Sequence, residues 1–350
     1  MTIRFAWFLQ CLRRVLPLAA LLATVASGEI TRITYNGWDD ALRLTNGTVE
    51  LIVVPSVGRI MHYGWTDGEN LLWQHPHRAG HTGPAAGDLW ANTGGDKIWP
   101  WPETSWPKAS GVTLRDVDPP SEWEHEPHQL EVRGPLSVRL ISPTWKTHRL
   151  RVVRDLTLAE TGTVLTLSSR IERIADVPPS DTPPPIAVRP WSVTQLPPAD
   201  AVIVDYVPHT PRPYGLLLGA SWDTALDIDT HTLWLPSPRG ASKIGVTGRH
   251  LGWWRGEVLF IQHLVAPIAA PTAWEPHEQA QVFWTENPGE GASPYVELEF
   301  TAPRGGSPTM SETLTVTWEL RRLRSKRPTM DEVVATFMMA LPAASPTPAQ

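Results

Sequence analysis

Short apolar or alternating runs, separated by turn residues, make up most of the chain. The strongest local signal is the pair of runs at 41–45 and 49–54, because they flank Asn46-Gly47, the favoured turn of a two-residue β-hairpin. The runs at 150–158 and 164–171 flank Glu-Thr-Gly-Thr and predict a second hairpin. Further strands are predicted at 59–65, 112–117, 129–133, 136–141, 187–195, 201–206, 257–265, 279–286, 295–300 and 313–320.

Helical signals are confined to the end of the chain. No stretch between residues 28 and 327 keeps a 3.6-residue apolar period for three turns. A short helix is predicted at 330–341, where Asp331 and Glu332 suit the positive end of the helix dipole, and a disordered tail follows it. We therefore predict an all-β fold, a large two-sheet sandwich, as one domain over 29–327, with 328–350 as helix and tail. The strand pattern also fits other large sandwiches or a propeller.

The N-terminal segment has the pattern of a signal peptide. Arg4, Arg13 and Arg14 precede an apolar run at 15–26 that is short for a transmembrane helix, and small residues follow it. We expect residues 1–28 to be cleaved and the protein to be periplasmic or secreted; an uncleaved anchor is the alternative. Cys11, the sole cysteine, lies inside this segment, so the rest of the chain has no thiol for disulfides or catalysis.

Composition and charge narrow the classes of partner. The 36 prolines favour short strands and fixed loops over long helices, and the 18 tryptophans supply flat surfaces on which sugar rings pack. The formal net charge is −6, and loss of the three N-terminal arginines makes it more negative, which disfavours nucleic acid and anionic lipid. A carbohydrate ligand suits such a surface, and no cofactor is indicated.

Two sets of motifs resemble known families. Residues 46–73, NGTVELIVVPSVGRIMHYGWTDGENLLW, resemble the opening of aldose-1-epimerases and their relatives. The runs GGDKIWPWPETSW (94–106), RPWSVTQL (189–196) and YVELEFTAP (295–303) resemble the family called domain of unknown function 4380, which we place among the galactose-mutarotase-like proteins. The resemblance implies a β-supersandwich of two large, mostly antiparallel sheets, with sugar bound on a concave face.

The same resemblance implies a pair of proton-transfer groups. In mutarotases a carboxylate on a late strand is the base and a histidine is the acid. Glu297 and Glu299 lie two apart on the late run, so they share a face, and Glu297 matches the base. If both carboxylates line a site, their repulsion should raise the pKa of one of them; facing solvent is the alternative. His62, on the strand after Gly58, is the candidate acid.

The segment that matches the acid-bearing strand of mutarotases has no histidine. It carries Arg189, Trp191 and Gln195, which we assign to substrate binding together with Glu299. Trp191 could stack on a sugar ring and Arg189 could hold a carboxylate or two hydroxyls. The alternative is a strand with one buried tryptophan. The missing histidine speaks against simple mutarotation.

The run at 94–102 is the strongest candidate for ligand contact. Its paired glycines permit positive φ or a close approach of backbone. Asp96 and Lys97 offer an acceptor and a donor, and Trp99 and Trp101 form an aromatic strip stiffened by prolines. We predict that these four side chains bind substrate. The alternative is a loop that closes the sandwich edge with its tryptophans.

Other chemistries find little support in the sequence. The histidine clusters at 75–81 and 125–128 match no zinc spacing, so no metal is expected. No Gly-x-Ser-x-Gly elbow or phosphate-binding loop occurs. The sequence therefore predicts an epimerase-type enzyme acting on a sugar or uronic acid, with a non-catalytic carbohydrate-binding protein of the cell envelope as the alternative. A structural envelope protein is a third possibility.

Overall fold

A computed structural model describes residues 28–84, 91–106, 118–174, 186–206, 214–219, 226–227, 232–236, 240–265, 277–289, 291–304 and 313–340. The predicted signal segment, the predicted strand at 112–117 and the tail after residue 340 lie outside these residues. In the part of the chain that is described, no helix has the length and apolar character needed to span a membrane.

Two ten-stranded sheets contain nearly all the regular structure, and every paired strand is antiparallel to its neighbour. The first sheet has the spatial order β1-β2-β3-β4-β5-β10-β19-β18-β15-β12. Its strands are β1 Glu29–Tyr35, β2 Trp38–Thr45, β3 Val49–Val54, β4 Arg59–Trp65, β5 Asp96–Trp101, β10 Arg189–Leu196, β12 Tyr214–Leu218, β15 Ser242–Val246, β18 Ala280–Thr285 and β19 Tyr295–Thr301.

The second sheet has the order β13-β14-β11-β16-β17-β20-β9-β8-β7-β6. Its strands are β6 Gln129–Gly134, β7 Ser137–Ile141, β8 Leu150–Leu158, β9 Leu165–Arg173, β11 Ala201–Asp205, β13 Leu226–Asp227, β14 Thr232–Leu235, β16 His250–Arg255, β17 Val258–Leu264 and β20 Leu314–Arg322. The helical elements are short: α1 Ser121–Glu124, α2 Met330–Ala340 and the 3₁₀ turns Pro55–Val57 and Glu103–Ser105. The predicted all-β class is confirmed.

Both hairpins predicted from the sequence are present, as β2–β3 and β8–β9. Asn46 joins them: its carboxamide oxygen accepts bonds from the amides of Thr48 and Val49, which closes the first turn. Its amide group donates to the carbonyls of Ala159, at 2.7 Å, and Gly162, at 3.0 Å, in the turn of the second hairpin. Asn46 therefore pins the first sheet to the second at this corner.

One apolar core fills the space between the sheets. Strands of the first sheet contribute side chains such as Leu51, Leu298 and Phe300, and strands of the second contribute Phe260 and Trp318, all 0% exposed. Because residues two apart on a strand share a face, the side chains between them point to the outer face of each sheet. The helix α2 packs on the outer face of the second sheet through Val333 and Phe337.

The strand β5 lies in a region where the sequence predicted no strand. It is the fifth strand of the sheet in space, between β4 and β10, although about 90 residues separate it from β10 along the chain. Gly94 and Gly95 precede it with φ of 97° and 74°, which fulfils the expectation for the paired glycines. A Cβ on Gly95 would lie 2.3 Å from the carbonyl oxygen of Ile60, so only glycine fits this turn.

Candidate functional site

Three neighbouring strands of the first sheet carry most of the residues that the sequence singled out. The register places Trp99, Trp191 and Thr301 side by side across β5, β10 and β19. The next row on the same face holds Lys97, Val193 and Glu299. The row after that pairs Gln195 with Glu297. All of these side chains lie on the outer face, opposite the core-facing Ile98 and Leu298.

Glu297 is buried on this outer face rather than solvent-facing. It is 7% exposed, and its Oε1 accepts a hydrogen bond of 2.7 Å from the Nε2 of Gln195 on the adjoining strand. This bond fixes the orientation of the carboxylate and leaves Oε2 for a ligand hydroxyl. Phe283 on β18 lies directly opposite Glu297 on its other side and is half-buried, so the Glu297 carboxylate sits near the rim of the covered region.

Glu299 shares the face of Glu297, as the two-residue spacing predicts, and is fully buried. Its Oε2 accepts two bonds of 2.8 Å, from the indole Nε1 of Trp191 and from the Nζ of Lys243. Its Oε1 is buried and has no hydrogen-bond partner. Burial raises the pKa of Glu299 to about 7; Lys243 opposes this rise and the negative charge of Glu297 adds to it. The expectation that one of the two pKa values would be raised therefore agrees with the pKa of Glu299.

Lys243 is a functional candidate that sequence reasoning missed. It lies on β15, two strands from β19, and its ammonium reaches across to Glu299 and sits 4.7 Å from the ring centroid of Trp191. The segment around it, ASKIGV, has no motif that marks a site. Only the strand order, which brings β15 beside β18, places this lysine at the carboxylates. We call Gln195, Lys243, Glu297 and Glu299 the carboxylate face.

An aromatic wall borders the carboxylate face at the end formed by Gln195 and Glu297. Trp73 and Tyr295 pack with ring centroids 4.7 Å apart, and Phe283 lies 6.2 Å from Tyr295. The indole of Trp73 donates to the hydroxyl of Ser293 at 2.9 Å. The backbone amide of Trp73 bonds to the carbonyl of Gln195, so the segment after β4 continues the sheet at this edge. Tyr295 precedes Glu297 by two residues and therefore shares its face.

The tryptophans at 99, 101 and 191 do not form the open strip that the sequence suggested. Trp99 is 4% and Trp191 1% exposed, and both pack with Trp106 at centroid distances of 5.2 and 6.0 Å. The indole Nε1 of Trp99 donates to Glu124 at 2.8 Å. The alternative was a loop that closes the sandwich edge with its tryptophans. The tryptophans are buried, as that alternative expected, but they cover the face of a strand inside the sheet. Trp101 is the half-buried member, 5.1 Å from Trp191, and it lies in the row of Arg189, about 20 Å along the strand from Gln195.

Lys97 is held in a buried ion network above the sheet. Its Nζ lies 3.9 Å from an oxygen of Glu124 and 4.0 Å from the centroid of Trp99. Arg59 also pairs with Glu124. Burial by itself would raise the pKa of Glu124, yet the charges of Arg59 and Lys97 outweigh it and hold that pKa at about 2. Lys97 therefore lies on the same sheet face as Glu299, two strand spacings or about 10 Å away. Its ammonium is paired with Glu124 of the helix α1.

Asp96 points the other way, and its predicted contact with substrate is wrong. Strand neighbours alternate faces, so Asp96 projects into the core when Lys97 projects outward. It is 0% exposed, pairs with Arg154 of the second sheet, and accepts a 2.7 Å bond from the hydroxyl of Thr194. Gln262 donates to the same hydroxyl at 2.7 Å. These residues form a polar link between the sheets, beneath the candidate site.

Arg189 also lies away from Glu297. It is separated from Gln195, the partner of Glu297, by six residues of β10, or about 20 Å of extended strand. Its guanidinium is held by Glu278 at 2.9 Å and by the carbonyl of Ala302 at 3.0 Å. The predicted joint role of Arg189 and Glu297 at one ligand is therefore wrong, because the strand keeps the two side chains apart.

His62 cannot act as the acid partner of Glu297. It lies on β4, three strand spacings from β19, or about 14 Å. Its Nε2 is 3.2 Å from Glu50, and its ring packs edge-on against Tyr35 with centroids 6.1 Å apart. Burial lowers the pKa of His62, and Glu50 opposes this. The histidine therefore belongs to a separate polar cluster at the β1–β4 end of the sheet.

Metal binding has no support in the described ranges, where no group of three or more histidine, cysteine or acidic side chains is arranged to hold an ion. Histidines around the carboxylate face include His75, which is buried 5.9 Å from Trp73, and the exposed His77. The backbone of His277 lies against Gly245 of β15, and its ring lies against Gly215 of β12. The carboxylate face itself offers two acids, one amide and one ammonium, a set suited to hydrogen bonding and proton transfer.

Comparisons with known proteins give resemblances of fold. No model of a known protein family matches the chain, and no curated protein matches it in sequence. A galactose mutarotase-like protein from Lactobacillus casei is 8% identical, with 80% of this chain and 100% of that chain covered and a TM-score of 0.48. A galactose mutarotase related enzyme from Lactobacillus acidophilus is 9% identical, with 82% and 98% covered and a TM-score of 0.47.

A protein of Escherichia coli K12 proposed to be an aldose 1-epimerase is 15% identical, with 80% of this chain and 98% of that chain covered and a TM-score of 0.47. At identities this low, the similarity is one of two-sheet architecture alone. The strand order confirms the predicted two-sheet supersandwich, and the closer assignment to the domain of unknown function 4380 stays a prediction.

Proposed function

We propose that this protein binds a sugar or a sugar acid on the carboxylate face and interconverts its stereoisomers, with Glu297 as the base. The observation that carries the proposal is the burial of Glu297 beside Glu299 on a sheet face that is turned away from the core. Burying two neighbouring carboxylates is costly, and perturbed carboxyl pairs of this kind occur mainly at functional sites. The motif resemblance of residues 295–303 assigns the same glutamate.

The geometry gives each residue of the face a task. Gln195 holds Oε1 of Glu297, so Oε2 accepts the hydrogen bond of a sugar hydroxyl and then takes its proton. Phe283, half-buried and directly opposite Glu297 on β18, is a ring on which the C–H face of a sugar could pack. Lys243 supplies a positive charge, which would bind the carboxylate of a uronic acid better than a neutral sugar.

The experiment measures anomer exchange of aldohexoses and hexuronic acids by proton NMR, with the purified protein and with the variants Glu297→Gln and Glu131→Gln. Loss of the base should lower the exchange rate about 10²- to 10⁴-fold while sugar binding changes little, because the amide keeps the shape of the side chain. Glu131, half-exposed on the edge strand β6, is the matched control and should leave the rate unchanged.

Two results would contradict the proposal in different ways. If a sugar binds and the wild-type protein accelerates no exchange, the protein is a carbohydrate-binding protein without catalysis. If none of the sugars binds to the wild-type protein, measured by calorimetry over the same panel, the proposed ligand class is wrong.

We also propose that the protein is exported and loses residues 1–28. The support is the run of positive, apolar and small residues at the N-terminus. Intact-mass analysis of protein from the native host should give an N-terminus near residues 27–29. A mass that includes Met1 would contradict cleavage, and fractionation would then distinguish an anchored chain from one that is not exported.

A further inference from the structure

A base alone does not complete the proposed reaction. Opening a sugar ring requires a proton to leave the O1 hydroxyl and another to reach the ring oxygen as its bond to C1 breaks. The strand β10 has no histidine, and His62 lies about 14 Å away across three strands. The ring of His277 lies against Gly215 of β12, which is also three strands from β19. The acid must therefore come from another side chain near Glu297.

Glu299 has the geometry of that missing acid. It lies on the same face of β19 as Glu297, about 7 Å away between Cα atoms. Both donors that reach it, the indole of Trp191 and the ammonium of Lys243, bond to one oxygen, Oε2. The other oxygen, Oε1, is buried without a partner. A carboxylic acid with the proton on Oε1 satisfies this arrangement, because Oε2 then accepts while Oε1–H is free to donate.

We propose, resting on the proposed function, that Glu299 is the general acid of this site and that Glu297 and Glu299 form an acid–base pair in which no histidine takes part. Trp191, which occupies the strand where mutarotase-like sequences would place a histidine, serves as a positioning residue by fixing Oε2. Lys243 is the second positioning residue. Its ammonium bonds to Oε2 of Glu299 and lies 4.7 Å from the ring centroid of Trp191.

The proton balance closes over one turnover. Glu297 takes the O1 proton as the C1–O1 bond gains double-bond character, and Oε1 of Glu299 gives its proton to the ring oxygen as the C1–O5 bond breaks. Rotation about C1–C2 presents the other face of the aldehyde. Ring closure then returns a proton from the O5 hydroxyl to Glu299 and one from Glu297 to O1, so both residues regain their starting states.

The charges around Glu299 set its proton affinity. Burial raises its pKa, Lys243 on β15 lowers it, and Glu297 on the same strand and Glu103 after β5 raise it, for a value of about 7. Lys97 lies in the same row on β5, two strands away, and is paired with Glu124. A ligand that draws Lys243 away from Oε2 would raise the pKa further and keep the proton on Glu299 until its transfer.

The first test observes the proton directly. Carbon-13 NMR of glutamate carboxyl groups, with Glu299→Gln to assign the signal, should give a Glu299 titration near pH 7 in the ligand-free protein. Lys243→Gln should move this titration to higher pH and Glu297→Gln to lower pH, because they remove an attractive and a repulsive charge respectively. A Glu299 signal that stays deprotonated down to pH 5 would overturn the inference whatever the protein does to sugars.

The second test uses the pH profile of anomer exchange. The rate should fall on the alkaline side as Glu299 loses its proton, and Glu299→Gln should lower the rate about 10²- to 10⁴-fold and abolish that limb. Lys243→Gln, which keeps Glu299 in place if the first variant fails to fold, should shift the limb to higher pH. Full activity of Glu299→Gln with Glu297→Gln inactive would overturn the acid and leave the proposed function standing. Absence of exchange in the wild type would instead overturn the proposed function.

Discussion

Replacing Asp96 by asparagine should destabilise the fold and leave ligand binding unchanged. Asp96 and Arg154 are 0% and 1% exposed, and they join the two sheets through the core. Asparagine keeps the shape and the acceptor for the Thr194 hydroxyl, but it leaves the guanidinium of Arg154 without a counter-charge in the interior. Breaking one partner of such a pair costs about 3–5 kcal/mol.

The magnitude can be read as a shift in melting temperature. With an unfolding entropy of about 2.1 cal/mol/K per residue over the 245 residues that the structure describes, a loss of about 3–5 kcal/mol lowers Tm by about 6–10 °C. Urea titration of the same variant should lower the unfolding midpoint without a change in slope.

The adjoining residue provides a matched control. Asp155 follows Arg154 on β8 and faces outward, where Arg139 binds it at 2.7 Å with both side chains about a quarter exposed. Asp155→Asn makes the same chemical change in a solvated pair and should cost at most about 1 kcal/mol. Asp96→Leu combined with Arg154→Met should recover much of the loss, because replacing both members of a buried pair by apolar groups is often neutral.

Two outcomes would refute this reasoning. If Asp96→Asn unfolds within about 1 kcal/mol of the wild type, comparable to a solvated pair, the Asp96–Arg154 pair is not the buried link described above. If the variant keeps its Tm and loses sugar binding, Asp96 contacts the ligand, as the sequence alone suggested, and the assignment of strand faces is wrong.

Four further variants test the packing of the first sheet and its covering segments. Trp99→Ala should cost about 3–5 kcal/mol in urea unfolding, whereas Trp101→Ala should cost clearly less, because Trp101 is only half-buried. Gly58→Ala should destabilise by about 1–3 kcal/mol or more, because φ is +61° and the new Cβ would lie 2.2 Å from the His128 ring, and thermal melts measure this. Burial lowers the pKa of His128 to about 4, so its contribution to stability should be complete above pH 6.5 and fall by up to about 3 kcal/mol as pH drops towards 4. Urea midpoints across that range should fall more steeply in the wild type than in His128→Gln, because other titrating groups such as His263 are common to both.

The parts of the fold that the sequence predicted well are local. The hairpins at β2–β3 and β8–β9 need only neighbouring runs and a turn, and Leu150–Leu158 matches its predicted bounds. The strand β5 was missed because its residues, DKIWPW, include a proline and follow two glycines, which read as loop. Its hydrogen bonds go to β10, about 90 residues later, and no local pattern records such a pairing.

The same alternation rule explains one success and one failure at the site. Applied to Glu297 and Glu299 it predicted a shared face, which the register confirms. Applied to β5, the rule would have put Asp96 and Lys97 on opposite faces. Because no strand was predicted there, both residues were assigned to one ligand. Lys243 could not be found at all, because its approach to Glu299 depends on the order of β15, β18 and β19.

The outer face of β19 differs from that of a purely structural strand because it carries two buried carboxylates. All seven residues of Tyr295–Thr301 are buried, and the core-facing ones are apolar. On the outer face an apolar side chain would have been cheaper at every position, since each buried carboxylate loses its hydration and must recover it from designed partners. Glu297 has one such partner, and Glu299 has two that bond to the same oxygen. The charge of Glu124 is more fully compensated than either, because Arg59 and Lys97 hold its pKa at about 2. Folding gains nothing from this incomplete compensation, whereas a ligand that must exchange protons with the protein requires it.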